Sequence, residues 1–293
     1  MHLKRTKGEK GFAVFNVAFL LLISFITLYP MLYVVFASVS EPVQLIKARG
    51  IIWHPMGFTA QAYSMVFSNR SILMGYGNTL FIVIVGTMLN VIITAFAAYV
   101  LSREGYFLKR FLNFFVVVTM LFSGGLIPFY ITVQRLKLLD SIWALILPTL
   151  LSTYNLMIMR TSFAAIPISL EESAKLDGAN DMVVLTRIIL PLSKAVIAVM
   201  VLFYGVAHWN SWFNASIFLN SRDKYPLQLV LREILISNDT SAMGNDLSAN
   251  DQEMIAENIK YATIVVATLP IMCVYPFVQK YFVTGVMVGS VKG

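Results

Sequence analysis

The sequence is short of charge and nearly devoid of cysteine. Asp, Glu, Lys and Arg make up 13% of its 293 residues while hydrophobic residues make up 58%. A soluble domain carries about 25% charged residues and 45–50% apolar ones, so this composition belongs to a chain exposed to lipid. The single cysteine, Cys273, sits in an apolar run. It excludes a disulfide framework and any cysteine-based metal site. There is no GxxxxGK[ST] phosphate loop, no HExxH, no GxSxG and no paired histidine ligands, so the chain has no nucleotide-hydrolysing, zinc-peptidase or serine-hydrolase centre of its own. Gly75 and Gly77 form a GxG fragment, but the third glycine and the strand–helix context are missing. No catalytic residue and no bound cofactor or metal is expected.

What fills the sequence instead is a series of six runs free of Asp, Glu, Lys and Arg: 11–40, 71–102, 111–134, 141–159, 195–221 and 261–279. A helix needs roughly 20 apolar residues to cross ~30 Å of hydrocarbon. The runs are continuously apolar rather than alternating, which excludes a β-barrel. Backbone groups in lipid must pair within their own segment, so the runs predict six transmembrane helices and an all-α integral membrane protein. The run 141–159 contains Pro148, and a neutral extension over 161–170 blurs its end. The first run is too long for a signal-peptide core and is read as a retained span.

Basic residues set the orientation. With the N-terminus in the cytoplasm, the inner segments carry 13 Lys and Arg against 6 acidic residues, and the outer segments carry 9 of each. The whole +7 charge therefore lies inside, on loops at a membrane surface, and no nucleic-acid partner is implied. Both termini are expected in the cytoplasm. The chain divides into an N-terminal tail and first span (1–40), an extracytoplasmic loop (41–77), a core (78–283) and a cytoplasmic tail (284–293). His208 is the one strongly polar titratable side chain within a span. Carriers driven by ions or protons usually place an ionisable group at mid-membrane. Energy for uphill movement must then come from a partner.

The longest inner loop, 164–194, is punctuated clearly. Ser169 and Glu172 have capping-box spacing, and Glu171 and Lys175 form an acid-to-base i,i+4 pair. Gly178 suits a left-handed helix stop. Asn180 suits the cap of a second helix over 181–189, and Pro191 opposes continuation into the next span. Two stiff helical pegs at the membrane surface are expected. An ordinary, well-capped surface loop has the same signals.

The same loop resembles the EAA motif of ABC importer permeases, E-A-A-x3-G-x9-I-x-L-P. It reads Glu172-Ser173-Ala174, Gly178, Ile188, Leu190 and Pro191 at matching spacings, with Asp177 and Ala179 completing a D-G-A core. Ser173 replaces the first alanine. The end of the chain, from Gln279-Lys280-Tyr281-Phe282-Val283 to Gly289-Ser290-Val291-Lys292-Gly293, resembles carbohydrate-uptake permeases similar to the smaller membrane subunit of the maltose system. Ser123-Gly124-Gly125-Leu126-Ile127-Pro128, Leu138-Leu139-Asp140, His208-Trp209-Asn210-Ser211-Trp212-Phe213 and Tyr225-Pro226-Leu227-Gln228 resemble the oligosaccharide and polysaccharide subgroup. That subgroup includes permeases for aldouronates, rhamnogalacturonan fragments and alginate. The resemblance implies a type I ABC importer permease fold with a cytoplasmic coupling helix, in a bacterial inner membrane.

It further implies a second homologous permease subunit, two ATPase subunits carrying ATP and Mg, and an extracytoplasmic solute-binding protein. Glu171, Glu172, Ala174, Asp177, Gly178, Ala179, Leu190 and Pro191 would form the ATPase-coupling element. Glu172 would meet a basic group of the ATPase, and the tail Val291, Lys292 and Gly293 would approach it. A permease of the same class for a non-sugar solute, or a self-sufficient channel or carrier, are the alternative functions.

For the substrate path, Tyr204, His208, Trp209, Asn210, Trp212 and Asn214 combine aromatic faces with amides, as sugar binding requires. Tyr204, His208 and Trp212 follow i, i+4, i+8 and would share one helical face. Packing against neighbouring helices, or an interfacial aromatic belt, explains them equally. Asn210 and Asn214 form a second stripe that fits helix joining as well. Tyr130 ends the third run and suits either an outer vestibule or an interface. The outer loop 222–260 is acidic, and its Asn-, Ser- and Asp-rich part 238–250 is expected to be flexible.

Overall fold

The structure, a computed structural model, describes residues 6–48, 50–105, 108–237, 257–274 and 276. The tail residues Val291, Lys292 and Gly293 and the stretch 238–250 lie outside the described residues. The described residues form helices and no strand. They fall into two compact units.

The first unit contains residues 6–69 and, among the described residues, 233–237 and 257–268. Its long helix, Lys7–Ser38, is apolar on every side and has none of its most apolar window buried. A helix apolar all round belongs in hydrocarbon. It begins with a true capping box: Glu9 N donates to Thr6 Oγ1 at 3.3 Å, and Thr6 N donates to Glu9 Oε2 at 2.7 Å. The region after it folds back around Ala37, Leu45 and Ile52. There Met56 N donates to Ser40 Oγ at 2.9 Å, and Asn258 Nδ2 donates to Ser40 O at 2.6 Å.

The second unit contains residues 70–232 and, among the described residues, 269–274 and 276. Its axis is a helix from Arg70 to Ser102, interrupted by one π turn at Ile82–Gly86. Its buried face runs through Ile72, Gly75, Thr79, Ile82, Gly86, Asn90, Thr94 and Ala98, at steps of three and four. Helices Thr153–Ala164 and Lys194–Trp209 pack on that face. Together they enclose a core of Ala98, Leu156, Met159, Phe163, Ile189 and Met200.

Among the described residues, three helices are long and apolar enough to cross a membrane: Lys7–Ser38, Arg70–Ser102 and Glu257–Val274. Two further pairs qualify if each is one bent span: Lys109–Leu121 with Leu126–Arg135, at 115°, and Asp181–Leu192 with Lys194–Trp209, at 85°. The runs predict six continuous helices; among the described residues, the helices supply three candidate spans, or up to five if each bent pair is one span. The first bend falls at Gly124 and Gly125, where Gly125 takes φ +82°. The run 141–159 is not one helix. Pro148 lies in a single 3₁₀ turn, Leu147–Thr149, and the chain is non-helical at 151–152 before Thr153 restarts it. A proline removes one donor from the ladder and clashes with the carbonyl four residues back.

Candidate functional site

The loop 164–194 forms both expected pegs. The first, Ile168–Leu176, starts directly after Pro167, whose extended backbone makes it the N-cap. Ser169 is therefore already helical, and the Ser169–Glu172 capping box does not form. Proline's fixed φ and its restriction of the preceding residue settle the helix start one step ahead of the serine. The stop is as read: Gly178 takes φ +86°, its N–H donates to Lys175 O at 3.0 Å, and Ala179 N donates to Ala174 O at 2.9 Å. This pair of bonds is a Schellman motif, which satisfies two orphan carbonyls and needs a residue free of a Cβ penalty.

Asn180 caps the second peg, accepting from Val183 N at 2.9 Å. That helix continues beyond 189 through a π turn, Leu185–Ile189, and takes Pro191 into its last turn. Pro191 does not stop it. The wide turn before the proline absorbs the missing donor, and the 85° bend comes at Ser193 instead.

The two glutamates of the first peg separate completely. Glu171 is buried: its Oε2 lies 2.9 Å from Arg103 Nη1, and its Oε1 lies 3.0 Å from Lys175 Nζ. Tyr99 O–H donates toward the same carboxylate at 3.3 Å. Lys175 also reaches Asp181 at 3.0 Å. The hydrogen bond to Glu171, then that to Asp181, holds the Lys175 ammonium well above the ordinary lysine range. Glu172 is exposed, as are Asp177 and Pro191. Ala174, Ala179 and Leu190 pack against the buried cluster. Leu176 is 89% exposed, an apolar side chain held outward on a fixed helix.

Around the break at 147–152, polar side chains of neighbouring helices satisfy the freed backbone. Asn90 Nδ2 donates to Thr149 O at 2.6 Å and to Leu150 O at 2.8 Å. Both N–H groups of the amide are thus used, so Asn90 Oδ1 accepts and His208 Nε2 donates to it at 2.7 Å. His208 Nδ1 is left as an acceptor. Tyr204 O–H accepts from Ser152 N at 3.2 Å and pairs with Thr94 Oγ1 at 2.7 Å. Non-helical backbone at membrane depth is tolerated where protein groups pair with it in this way.

Beside this network lies a cleft of 320 Å³ lined by Thr149, Ser152, Asn155, Tyr204, His208, Asn210 and Asn214, among others. Four of the residues expected on the path thus meet at one cleft. The others do not. The helix carrying Tyr204 and His208 ends at Trp209, and Trp212 opens a new helix, Trp212–Phe218, so the i, i+4, i+8 stripe is cut before its third member. The Ser211 hydroxyl takes the His208 carbonyl at 2.8 Å, which closes the helix end. Trp212 lies under Arg232, 3.7 Å from its guanidinium carbon, and Trp209 is buried edge-on to Tyr76. Tyr130 is half-buried and stacks on Phe218 against an apolar cluster.

Comparison with known proteins identifies the machine these parts belong to. Residues 90–288 match the family model described as binding-protein-dependent transport system inner membrane component. The chain belongs to that family. Protein LplC of Bacillus subtilis is 43% identical over 98% of this chain and 97% of its own length. The polygalacturonan/rhamnogalacturonan transport system permease protein YtcP of the same organism is 42% identical over 94% and 96%. A solved chain from a bacterial ABC transporter involved in the import of the acidic polysaccharide alginate superposes with a TM-score of 0.87 at 28% identity, covering 96% of this chain and 100% of that one. The permease is therefore an inner membrane transport component with the fold of that transporter.

Two sites in the permease escaped the sequence reading. Arg103, the hub of the Glu171 cluster, was visible only as the first charge after the neutral run 71–102. Asp140 was noted only as part of a Leu-Leu-Asp match. It takes φ +53°, and its carboxylate accepts from Asn220 N, Ser221 N, Ser221 O–H and Lys224 Nζ at 2.6–3.0 Å. The Lys224 bond, then those from Ser221 and Asn220, hold its carboxyl far below the usual carboxylate range. A depressed pKa stabilises above the unfolded value, about 3.9, and is lost as pH falls through the lower folded value. The Asp140 contribution is thus expected to be constant from pH 7 to about 5 and to fall below that. Asp140→Asn is expected to lower the unfolding midpoint of the detergent-solubilised permease by a similar amount across that window, read by thermal scans at each pH.

Proposed function

We propose that this permease is the transmembrane subunit of an ATP-driven importer and forms half of the translocation pathway for an oligosaccharide or polysaccharide. A second homologous permease completes the pathway. Two ATPase subunits bind ATP and Mg beneath it, and an extracytoplasmic solute-binding protein delivers the cargo. The hydrolysis belongs to the ATPase, not to this chain. Six membrane crossings with both termini in the cytoplasm fit the charge distribution, with the third crossing bent at Gly124 and Gly125 and the fourth broken at 147–152.

The observation that carries the proposal is the first peg. Ile168–Leu176 is a short helix held to its surroundings through Glu171, stopped by Gly178, and showing Glu172 and Leu176 outward. A fixed helix with an exposed acid and an exposed leucine is built for docking rather than for solvation alone. The second support is the similarity to transporters whose names concern polygalacturonan, rhamnogalacturonan and alginate. Alginate, aldouronate and pectin fragments are accordingly the first cargoes to test.

The cleft beside Tyr204 and His208 fits a hydroxyl-rich ligand, because its lining offers neutral donors and acceptors with Phe213 as an apolar face. The test is ATP hydrolysis by the reconstituted complex, with its receptor, against a panel of saccharides. Stimulation by one class, together with co-purification of the ATPase, is expected. Solute uptake by this chain alone in liposomes without ATP would contradict the proposal.

A further inference from the structure

Arg103 stands where three elements meet. It is the C-cap of the long helix ending at Ser102. Its Nη2 donates to Phe163 O, in the last turn of Thr153–Ala164, at 3.1 Å. Its Nη1 lies 2.9 Å from Glu171 on the peg, and its guanidinium carbon lies 5.2 Å from the centre of the Tyr99 ring. In return, Arg160 Nε, from helix Thr153–Ala164, donates to Leu101 O at 3.1 Å. The two helices exchange arginines at their ends, each occupying carbonyls the other helix leaves unpaired.

The Arg103 and Glu171 side chains are 13% and 7% exposed. A buried ion pair adds little net stability over apolar packing, but loss of one partner strands the other. What the pair does supply is fixed geometry, since the planar guanidinium presents its donors as a rigid fork. Without it, the peg is joined to helix Thr153–Ala164 through Ala165, Ile166 and Pro167, and charge no longer fastens it to the long helix. Lys175 and Tyr99 tie the same carboxylate to Asp181 of the second peg at 3.0 and 3.4 Å, so both pegs converge on this point.

We propose that the Arg103–Glu171 pair is the tie that passes movement of the peg to helices Arg70–Ser102 and Thr153–Ala164. The two adjacent glutamates of the peg then divide the work: Glu172 faces the docking partner and Glu171 holds the permease to its own peg. Arg103 is a positioning residue for transport. This rests on the reading of the peg as the ATPase-docking helix.

A double-mutant cycle on the complete transporter in proteoliposomes tests it, with solute taken up per ATP hydrolysed as the readout. Arg103→Gln and Glu171→Gln are each expected to keep the ATPase bound and hydrolysing while uptake per ATP falls about tenfold, the order of a typical coupling energy. The double variant is expected to be no worse than the worse single, because both changes cut one tie. A wild-type ratio in either single variant, or a double loss equal to the product of the single losses, overturns the proposal.

Arg103→Lys covers the case in which the glutamine variants do not accumulate. It keeps a charge for Glu171 but lacks the fork that also reaches Phe163 O, and a loss of about threefold is expected. A wild-type ratio there overturns the tie. Wild-type complexes without ATP-dependent uptake would overturn the docking reading and the tie together, whereas normal wild-type coupling with unaffected variants overturns the tie alone.

Discussion

Gly178→Pro is expected to cut uptake by the complete transporter roughly a hundredfold, the upper end of a coupling energy, while the permease still reaches the membrane at its normal level. Proline fixes φ near −65°, and position 178 needs +86°. The substitution also deletes the N–H that closes the first peg onto Lys175 O. The peg loses its stop and the second peg loses its direction. Gly178→Ala keeps the N–H and bears only the left-handed cost of about 1–2 kcal/mol, so an intermediate defect is expected. Glu172→Ala separates docking from peg geometry. Glu172 is exposed and its loss leaves the Glu171 cluster whole. ATPase co-purification is expected to weaken while the unfolding midpoint stays put. Normal uptake by Gly178→Pro would remove the peg from the mechanism.

The second large effect is expected at Gly86→Ala. Alanine normally gains about 0.5–1 kcal/mol over glycine inside a helix. Here a Cβ would stand 2.6 Å from His208 Nε2 and 2.9 Å from Cε1. The ring is buried and held by its bond to Asn90, so moving it away from a new methyl breaks that bond. Overpacking costs about 1–3 kcal/mol, and a stranded buried Asn90 acceptor about 1–3 kcal/mol more. The clash therefore outweighs the helix gain. A clearly lowered unfolding midpoint is expected, with His208→Ala in the same chain restoring part of it. Gly77→Ala is the control: nothing lies within 4 Å of its added methyl, and a neutral or slightly stabilising result is expected.

The long apolar runs were legible because lipid leaves composition little choice, and the helices Lys7–Ser38, Arg70–Ser102 and Glu257–Val274 follow from them. The pegs were legible because Glu171 and Lys175, Gly178 and Asn180 act locally, within four residues of their partners. Ser169 misled because capping-box spacing says nothing about which residue starts the helix, and Pro167 decided that first. The same spacing at Thr6 and Glu9 forms the box and went unread.

At the candidate path, periodicity alone carried the reading. Tyr204 and His208 did fall on one face, but the helix end at Asn210 separated Trp212 from them. What was invisible was everything non-local. Asn90 and Thr94 read as stray polar residues in an apolar run, yet they complete the break at 147–152, about 60 residues away. Arg103 likewise finds Glu171 across 68 positions of chain, which no spacing rule reports.

The most direct test concerns which side of the membrane the pegs occupy. Leu176→Cys, in a chain whose Cys273 is replaced by serine, places a thiol at a position of the first peg whose side chain is 89% exposed. In right-side-out membranes free of the ATPase, a membrane-impermeant maleimide is expected to leave it unlabelled. In inverted vesicles the same reagent is expected to label it fully, and added ATPase to protect it. Labelling of Leu176→Cys from the outside of intact cells would contradict the docking of this loop on any cytoplasmic partner.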